Sequence, residues 1–364
     1  MKIIMILDNG YDPDVRVYKE AKYLVGKGFD VDVICWERNK ESEKPQEEWH
    51  EGIHIIRFFI PSKYGTGIKQ LKAYYKFYQT CKNYVNENKC DYLHCHDLTD
   101  GIIGMLVHKK TPYVFDMHEY YENAKPRKNS IKHIIVEMVI KNSLASLYEN
   151  DIYLTPEYSG VREKLFPLKN YPDSNLIKQK DKSESNYFRI GYHGGVRNQI
   201  EPFTALFEAV KDMDDVRVDV NGLGIDYEEL KKIQENYSNV YVHGAFDGTK
   251  ELSRLYESTD VLFCGYDPND PNMQGVAEIV KYYEAVLTGT PMIATKSLAV
   301  GMRVENNQFG ISVDTNDAKE IKKAIIRLKE DKKFWTNCSE NEKRIASQYD
   351  WNEAVKILDN IYSN

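Results

Sequence analysis

Two glycine-containing segments carry residues that could hold a phosphate group. Asp8-Asn9-Gly10 follows one apolar run, and His193-Gly194-Gly195-Val196-Arg197 follows another. Glycine at a strand-to-helix turn lets a ligand's phosphate or sugar approach the backbone closely. Arg197 could hold a diphosphate in a bidentate manner. Ordinary turn chemistry explains the glycines as well, so both interpretations stay open.

A third segment, residues 274–295 (QGVAEIVKYYEAVLTGTPMIAT), combines a loop with a predicted helix. The pattern predicts a helix that begins near Val276 and ends at Gly289, and its N-terminus would offer free N–H groups to a diphosphate. Lys281 and Glu284 lie three residues apart and therefore share a helix face. The cation suits a phosphate oxygen and the carboxylate suits a ribose diol. The alternative is a surface ion pair on an ordinary helix.

Three other motifs could indicate an NAD site or a metal site, but each gives weaker support than the segments above. Asn221-Gly222-Leu223-Gly224 has only two of the three glycines of a dinucleotide-binding turn, so an NAD enzyme is disfavoured. Asp267-Pro268-Asn269-Asp270 resembles a loop more than a metal-binding Asp-x-Asp. His94-Cys95-His96-Asp97 is a better metal candidate because alternate strand residues face the same way. A metal-dependent hydrolase is therefore kept as an alternative.

Short apolar runs alternate with helical periods, which is typical of parallel sheets with crossover helices. The first helix is expected to start at Asp12-Pro13 and to stop at Gly28. The predicted strands fall into two series separated by a polar stretch. They are Lys2–Leu7, Asp30–Trp36, Ile53–Phe59, Tyr92–His96, Tyr113–Asp116 and Ile152–Thr155, then Tyr187–Tyr192, Val216–Asn221, Val240–Val242, Val261–Cys264, Met292–Ala294 and Gly310–Val313.

These series predict an α/β protein with two Rossmann-like domains. The first domain spans residues 1–168, a linker spans 169–187, and the second domain spans 188–346. Residues 347–364 form a C-terminal helical segment that could pack back onto the first domain. A chain of 364 residues has the length of two such domains.

Composition excludes several protein classes. The net charge of −7 argues against a general nucleic-acid binder, and no apolar run is long enough to span a bilayer. The start of the chain lacks the pattern of a signal peptide. The six cysteines have no paired spacing, which favours reduced thiols. We therefore expect a cytoplasmic protein.

Residues 68–85 (IKQLKAYYKFYQTCKNYV) could form a basic amphipathic helix. One broad face would carry Leu71, Tyr74, Tyr75, Tyr78, Cys81 and Val85, and the other would carry Lys69, Lys72 and Lys76. Such a helix could make a peripheral contact with anionic lipid on the inner face of the cell membrane. A helix that faces the core with one solvated basic side is the alternative, and residues 125–141 are similarly ambiguous.

The segment EAVLTGTPMIAT resembles the donor-binding signature of the retaining glycosyltransferases of family 4 (group 1). The motifs DVRVYKEA, DYLHCHDL, YVFDMHEYY and YVHGAFDGTKELSRLYESTDVLFCGY resemble further stations of that family in order and spacing. The linker's Asn170-Tyr171-Pro172 agrees as well. This resemblance implies the GT-B fold, in which two Rossmann-like domains face a central cleft.

The resemblance also implies roles for individual residues. Glu284 is similar to the ribose-binding carboxylate, and His118 to the histidine that lies against the donor sugar. Gly10 corresponds to the loop near the diphosphate, while Gly244, Ala245 and Phe246 correspond to the loop that contacts the base. Gln274 and Gly275 belong to the donor loop, in which Val276 stands where the family often has a glutamate. Lys281 fits the relatives with a lysine three residues before the ribose glutamate.

The implied reaction is retaining, metal-independent glycosyl transfer with no cofactor. His118, Arg197 and Lys281 would stabilise the charge of the leaving nucleoside diphosphate. The donor would be a nucleotide-diphosphate sugar, the acceptor a saccharide or a lipid-linked molecule, and the pathway that of a surface polysaccharide or glycoconjugate. A sugar-nucleotide 2-epimerase on the same fold and an inactive nucleotide-sugar-binding scaffold are the alternatives.

Overall fold

The computed structural model describes residues 1–11, 14–63, 70–107, 111–121, 130–149, 151–177, 182–248, 250–270, 273 and 279–363. The chain divides into two compact units. The first comprises Met1–Asn170 and Val355–Asn364, and the second comprises Tyr171–Ala354. Each unit is an α/β structure built on a mostly parallel sheet, as the sequence predicts.

The first unit contains an eight-stranded sheet in the order β3-β4-β2-β1-β5-β6-β7-β8, in which only β3 runs antiparallel to its neighbour. Its core is a cluster of buried aliphatic and aromatic side chains. The strands are β1 Lys2–Leu7, β2 Asp30–Glu37, β3 Glu47–His50, β4 Ile53–Phe59, β5 Tyr92–His96, β6 Tyr113–Met117, β7 Ala145–Tyr148 and β8 Leu165–Pro167. The helices are α1 Val15–Gly26, α2 Leu71–Asn88, α3 Asp97–Val107 and α4 Ile131–Asn142, with 3₁₀ turns at Asp151–Leu154 and Pro156–Lys164.

The second unit contains a six-stranded parallel sheet in the order β11-β10-β9-β12-β13-β14. Two separate apolar clusters pack against its two faces, so helices cover both sides. The strands are β9 Phe188–His193, β10 Val216–Asn221, β11 Val240–Gly244, β12 Val261–Cys264, β13 Met292–Thr295 and β14 Gly310–Val313. The helices are α5 Ile200–Val210, α6 Tyr227–Ile233, α7 Leu252–Glu257, α8 Val280–Thr288, α9 Ala299–Asn306, α10 Ala318–Glu330, α11 Lys332–Ile345 and α12 Trp351–Ala354, with 3₁₀ turns at Gln234–Asn236 and Ala346–Tyr349.

Both sheets share one topological feature that locates binding sites. In each, the first strand lies in the middle, the next ones extend the sheet on one side, and the later ones extend it on the other. This is the doubly wound order, and ligands bind outside the carboxyl ends of the strands where the winding reverses. The reversal falls between β1 and β5 in the first unit and between β9 and β12 in the second.

The last helix, α13 (Ile357–Tyr362), belongs to the first unit. Tyr362 is buried there, with its ring 5.1 Å from that of Tyr92 and its hydroxyl 2.8 Å from Nδ1 of His94. Asp359 accepts hydrogen bonds of 2.8 Å from both Tyr23 and Lys27 on or next to α1. Helix α13 therefore packs as part of the first unit.

Three local predictions differ from the structure. The predicted strand Ile152–Thr155 is wrong, because residues Asp151–Leu154 form a 3₁₀ turn that buries Tyr153 against Tyr158. A short alternating run cannot by itself distinguish a strand from such a turn. The neighbouring strand is β7, whose four residues are all buried.

The start of α1 also differs. Asp14 caps this helix, since its carboxylate accepts a hydrogen bond from the Val17 N–H, while Asp12 and Pro13 lie outside the described residues. At the other end, Gly28 adopts φ +86°, which stops the helix as predicted. Helix α8 begins at Val280, four residues later than predicted, because Ile279 is extended and buried in the core.

Helix α2 turns one side to the core. Phe77, Cys81 and Val85 are buried, whereas Leu71 and Tyr75 are 62% and 64% exposed. The predicted broad apolar face is thus split between core and solvent. Within the part of the chain that the structure describes, no helix is both long and apolar enough to cross a membrane.

Candidate active site

The loop Gly194–Gln199, here called the glycine loop, follows β9 at the winding reversal of the second sheet. Gly194 has φ +141°, a conformation that favours glycine. Its N–H donates 2.8 Å to the Asn221 carbonyl, and the side-chain amide of Gln199 donates 2.7 Å to the Gly265 carbonyl. The loop is therefore tied to β10 on one side and to the end of β12 on the other.

Gly194 also makes room for Lys281. A Cβ at Gly194 would collide with the Lys281 ammonium, and that ammonium lies 4.6 Å from the centre of the Tyr192 ring. Lys281 is the second residue of α8, and no side chain caps the N-terminus of that helix among the residues that the structure describes. Lysine and helix N-terminus together place positive charge beside the glycine loop.

Glu284 lies one turn further along α8 and is 8% exposed. Its Oε2 accepts a hydrogen bond of 2.9 Å from the hydroxyl of Tyr256 on α7. Burial and the neighbouring Glu284 carboxylate both raise the pKa of Tyr256, so the phenol stays protonated and keeps donating. Lys281 and Glu284 are thus held by specific contacts and do not form the surface ion pair considered above.

His193, at the end of β9, is a buried neutral imidazole. Burial, followed by the nearby Lys281, lowers its pKa to about 3. Its Nδ1 lies 3.3 Å from the Asn221 amide nitrogen and its Nε2 lies 3.0 Å from the Thr259 hydroxyl. Because the Asn221 amide donates to Nδ1, the proton sits on Nε2. These two contacts fix the position of His193, which directly precedes the glycine loop.

The other site residues predicted in the second unit lie on three segments of the chain. Gly195 and Arg197 are exposed on the glycine loop. Gly244, with φ +97°, ends β11, and its carbonyl accepts a hydrogen bond of 2.6 Å from Gly222 N–H. Ala245 is exposed, and Phe246 is half-buried against the core. Gln274, Gly275 and Val276 lie outside the described residues.

In the first unit, Gly10 follows β1 at the corresponding winding reversal. A Cβ there would lie 2.7 Å from Oε2 of Glu37, and the Gly10 carbonyl accepts 3.2 Å from Arg57 Nε. The glycine therefore makes room for a carboxylate of its own chain.

His118 follows β6 and is 16% exposed. Its Nε2 lies 2.8 Å from Oδ2 of Asp116, and its Nδ1 lies 3.6 Å from Oδ2 of Asp97. Burial alone would lower the pKa of His118, but the Asp116 carboxylate outweighs it and raises that pKa to about 9. His118 is therefore an imidazolium at neutral pH, which suits charge stabilisation better than proton abstraction.

Arg16 holds Asp116 in turn. The buried guanidinium binds both carboxylate oxygens, at 2.6 and 2.7 Å, and donates 3.0 Å to the Leu168 carbonyl. Burial would raise the pKa of Asp116, but Arg16 and His118 hold it well below its usual range. A permanent buried carboxylate thus faces His118.

Glu20, His94, His96 and Asp116 are the metal candidate that the structure assembles, with ligand atoms within 4.8 Å of one another. Asp97, which the sequence grouped with the two histidines, is not among them. The Arg16 guanidinium already binds Asp116 and lies 3.2 Å from Oε1 of Glu20. Adding a divalent ion beside that buried cation would be unfavourable, so the donor set fits a metal poorly.

Sequence reasoning did not identify several of these residues. Tyr256 is one of 27 tyrosines and lies within a recognised motif, but nothing in the sequence predicts its contact with Glu284. Asp116 was part of a recognised motif, but its bond to Arg16 joins residues 100 positions apart. Gly222 was considered only as part of a dinucleotide motif, whereas a Cβ there would collide with the Gly194 carbonyl.

Comparison with known proteins relates each unit to a family. Residues 14–147 match the family model described as Glycosyltransferase Family 4, and residues 187–331 match that described as Glycosyl transferases group 1. An uncharacterized glycosyltransferase of Methanocaldococcus jannaschii is 24% identical over 282 residues, which cover 76% of this chain and 63% of that protein. The chain thus spans less than two thirds of the length of that relative.

Two solved structures resemble the chain along nearly its whole length. Sucrose-phosphate synthase from Thermosynechococcus elongatus has a TM-score of 0.73 at 15% identity, covering 100% of this chain and 98% of that one. HepE of Anabaena, solved in complex with UDP-glucose, has a TM-score of 0.68 at 16% identity, covering 99% of both chains. At such identities the likeness establishes the fold.

Proposed function

We propose that this chain, which belongs to the group 1 glycosyltransferases and has their GT-B fold, binds a nucleoside-diphosphate sugar through its second unit. It transfers the sugar, with retention of configuration and without a metal ion, to a saccharide or lipid-linked acceptor. The observation that carries the proposal is the placement of Lys281 and Glu284 beside the glycine loop at the winding reversal of the second sheet.

Each group at that edge has a task in this proposal. Glu284 accepts hydrogen bonds from the ribose diol, while its other contact, Tyr256, fixes its position. Lys281 and the first N–H groups of α8 bind the diphosphate. Gly244, Ala245 and Phe246 contact the base. HepE was solved with UDP-glucose, which makes uridine donors the first to test.

The bond changes require charge stabilisation more than a strong base. The bond between the sugar's anomeric carbon and the diphosphate oxygen breaks, and a bond from that carbon to the acceptor oxygen forms on the same face. The acceptor's proton passes to the departing diphosphate. Lys281 and Arg197 balance the charge that develops on the leaving group, and the first unit contributes the His118 imidazolium. We also propose a role in surface polysaccharide or glycoconjugate synthesis, which rests on the family resemblance.

A thermal-shift screen of UDP-, GDP- and ADP-sugars tests donor binding, because a ligand of the folded state raises the unfolding temperature. Calorimetry then compares Glu284→Gln with the exposed control Glu340→Gln. Hydrogen bonds to a charged group contribute about 1.5–3 kcal/mol, so we expect Glu284→Gln to weaken donor binding about 10- to 100-fold. Equal affinity in both variants would remove Glu284 from the site.

Turnover distinguishes the proposed transferase from its alternatives. NMR of the product gives the anomeric configuration, and activity measured with excess EDTA tests metal independence. Donor conversion without any acceptor would indicate a 2-epimerase, and donor binding without turnover against a panel of acceptors would indicate an inactive scaffold.

We also propose a peripheral contact between α2 and anionic lipid. Leu71 and Tyr75 are exposed on α2 beside the exposed Lys72 and Lys76, so apolar and basic groups share one surface. In a flotation assay with anionic vesicles, the wild-type protein should float with the vesicles, whereas the variant Leu71→Ser/Tyr75→Ser should not. Absence of flotation would remove this contact.

A further inference from the structure

A cavity of about 810 Å³ opens at the edge of the second unit's sheet opposite to the glycine loop. It lies at the amino ends of β9, β12 and β13, against the end of α10 and one side of α11. We call it the lysine groove, because Lys182, Lys329, Lys332 and Lys343 line it. Its volume is that of a small-molecule site, for which about 300–1,000 Å³ is usual.

The lysine groove has an excess of positive charge. The two aspartates in its lining are already paired: Asp260 binds the Arg189 guanidinium at 2.8 and 3.0 Å, and Asp215 binds Lys329 at 2.6 Å. Among the residues that the structure describes, the other three lysines make no ion pair. An anion entering the groove would therefore meet three ammonium groups that are not directly paired with a carboxylate among the described residues.

Lys182 is the most constrained of these lysines. Its ammonium donates 2.6 Å to the Thr290 hydroxyl and 3.0 Å to the Tyr256 carbonyl, which are both neutral acceptors. Burial lowers the pKa of Lys182 to about 8. Burial also raises the pKa of nearby Glu342 well above its usual range, which weakens the tendency of this acid to carry a negative charge beside the ammonium.

Two hydrogen-bonded routes join Lys182 to Glu284. In the first, Lys182 holds the carbonyl of Tyr256, whose hydroxyl holds Glu284 Oε2. In the second, the Thr290 hydroxyl that accepts from Lys182 lies 2.8 Å from the Thr288 hydroxyl, which donates 2.9 Å to the Glu284 carbonyl. A shift of Lys182 toward a bound anion would therefore alter both supports of Glu284.

We propose that the lysine groove binds a small phosphomonoester, and that its occupancy changes the affinity of the donor site through Lys182. The phosphate dianion accepts from Lys182, Lys332 and Lys343, since lysine binds phosphate as a compact point charge. Trp335, which also lines the groove, contacts the organic part of the ligand. The binding step is independent of the proposed function, whereas the coupling step depends on Glu284 holding the donor.

The binding step is tested by calorimetry with glucose 6-phosphate, with inorganic phosphate and with glucose. We expect the two phosphates to bind and glucose not to bind. Lys182→Met should weaken phosphate binding at least tenfold, and so should Lys332→Glu/Lys343→Glu, which changes exposed side chains only. The exposed Lys323→Met on α10 is the matched control. Unchanged binding in both groove variants would overturn the proposal.

A phosphate could also enter the donor site, so binding is repeated with saturating UDP and in Lys281→Met. We expect phosphate binding in the groove to persist both with saturating UDP and in Lys281→Met. Loss of phosphate binding under either condition would overturn the proposal. For the coupling step, UDP-sugar affinity should change at least threefold with saturating glucose 6-phosphate, and the phosphate's affinity should change by the same factor. An unchanged donor affinity would refute the coupling alone. A protein that binds phosphate in the groove but no nucleotide would refute the proposed function and leave the groove intact.

Discussion

Replacing Asp116 with asparagine should convert His118 from an imidazolium to a neutral imidazole. In the wild type, the carboxylate 2.8 Å from Nε2 outweighs burial and raises the pKa of His118 from 6.5 to about 9. That difference corresponds to about 3 kcal/mol of preference for the charged form. Asparagine has no charge, so burial and the Arg16 guanidinium would then lower the pKa of His118 below 6.5.

The substitution also has a stability cost. Arg16 is buried and loses its bidentate partner, and breaking a buried pair costs about 3–5 kcal/mol. Total stabilities of about 5–15 kcal/mol are usual, so the variant should still fold at 20 °C. Asp97→Asn is the matched control, because its carboxylate lies further away, at 3.6 Å, and is more exposed.

NMR of the imidazole Cε1–H signal, assigned with His118→Gln, measures the pKa directly. Wild-type transfer activity should be maintained up to about pH 8 and decline as His118 loses its proton near 9, whereas the decline in Asp116→Asn should occur below pH 6.5. A His118 pKa that stays near 9 in Asp116→Asn would refute the reasoning, as would a wild-type value below 7.

Stability should show the same linkage. A raised folded-state pKa stabilises the protein fully below 6.5, the unfolded value, and this stabilisation is lost as the pH rises through about 9. Denaturant unfolding of the wild type should therefore lose about 3 kcal/mol between these limits, and Asp116→Asn should lack this loss.

Three further changes test other parts of the second unit, and Gly26→Ala in the first unit serves as a control for one of them. Gly222→Ala should weaken donor binding at least tenfold in calorimetry, because the added Cβ would collide with the glycine loop. The control Gly26→Ala places its Cβ in open space and should raise the free energy of unfolding by about 0.5–1 kcal/mol. Tyr256→Phe should weaken donor binding about 3- to 30-fold by removing one hydrogen bond to Glu284; unchanged affinity would count against that support. Glu342→Gln should stabilise the protein more at pH 8 than at pH 5. Burial raises the pKa of this acid, so its ionisation opposes folding as the pH rises. An equal increase in the free energy of unfolding at both pH values would contradict a raised pKa of Glu342.

The sequence predicts best the parts that local patterns determine. Buried strands such as Lys2–Leu7 and Val261–Cys264 have the predicted bounds, since continuous apolar runs between turn residues are typical of parallel sheets. The position of Lys281 and Glu284 one turn apart on one helix follows from their spacing, whereas the roles proposed for them rest on the family resemblance. Ala145–Tyr148 (ASLY) was not predicted because Ser146 interrupts it, so no continuous apolar run marks the strand.

What local patterns could not predict were the contacts between distant residues. Arg16 stands in a recognised motif, but its partner Asp116 is known only once the strands are arranged. Lys182 lies in a polar stretch that the sequence predicts as a linker, whereas the structure buries it against Tyr256. Such pairs depend on strand order, which no short segment encodes.

The attachment of α13 to the first unit has a consequence for how the chain matures. Tyr362 contacts His94, which lies 268 positions earlier in the chain. During translation, therefore, the first unit cannot complete its interior until Ile357–Tyr362 has left the ribosome.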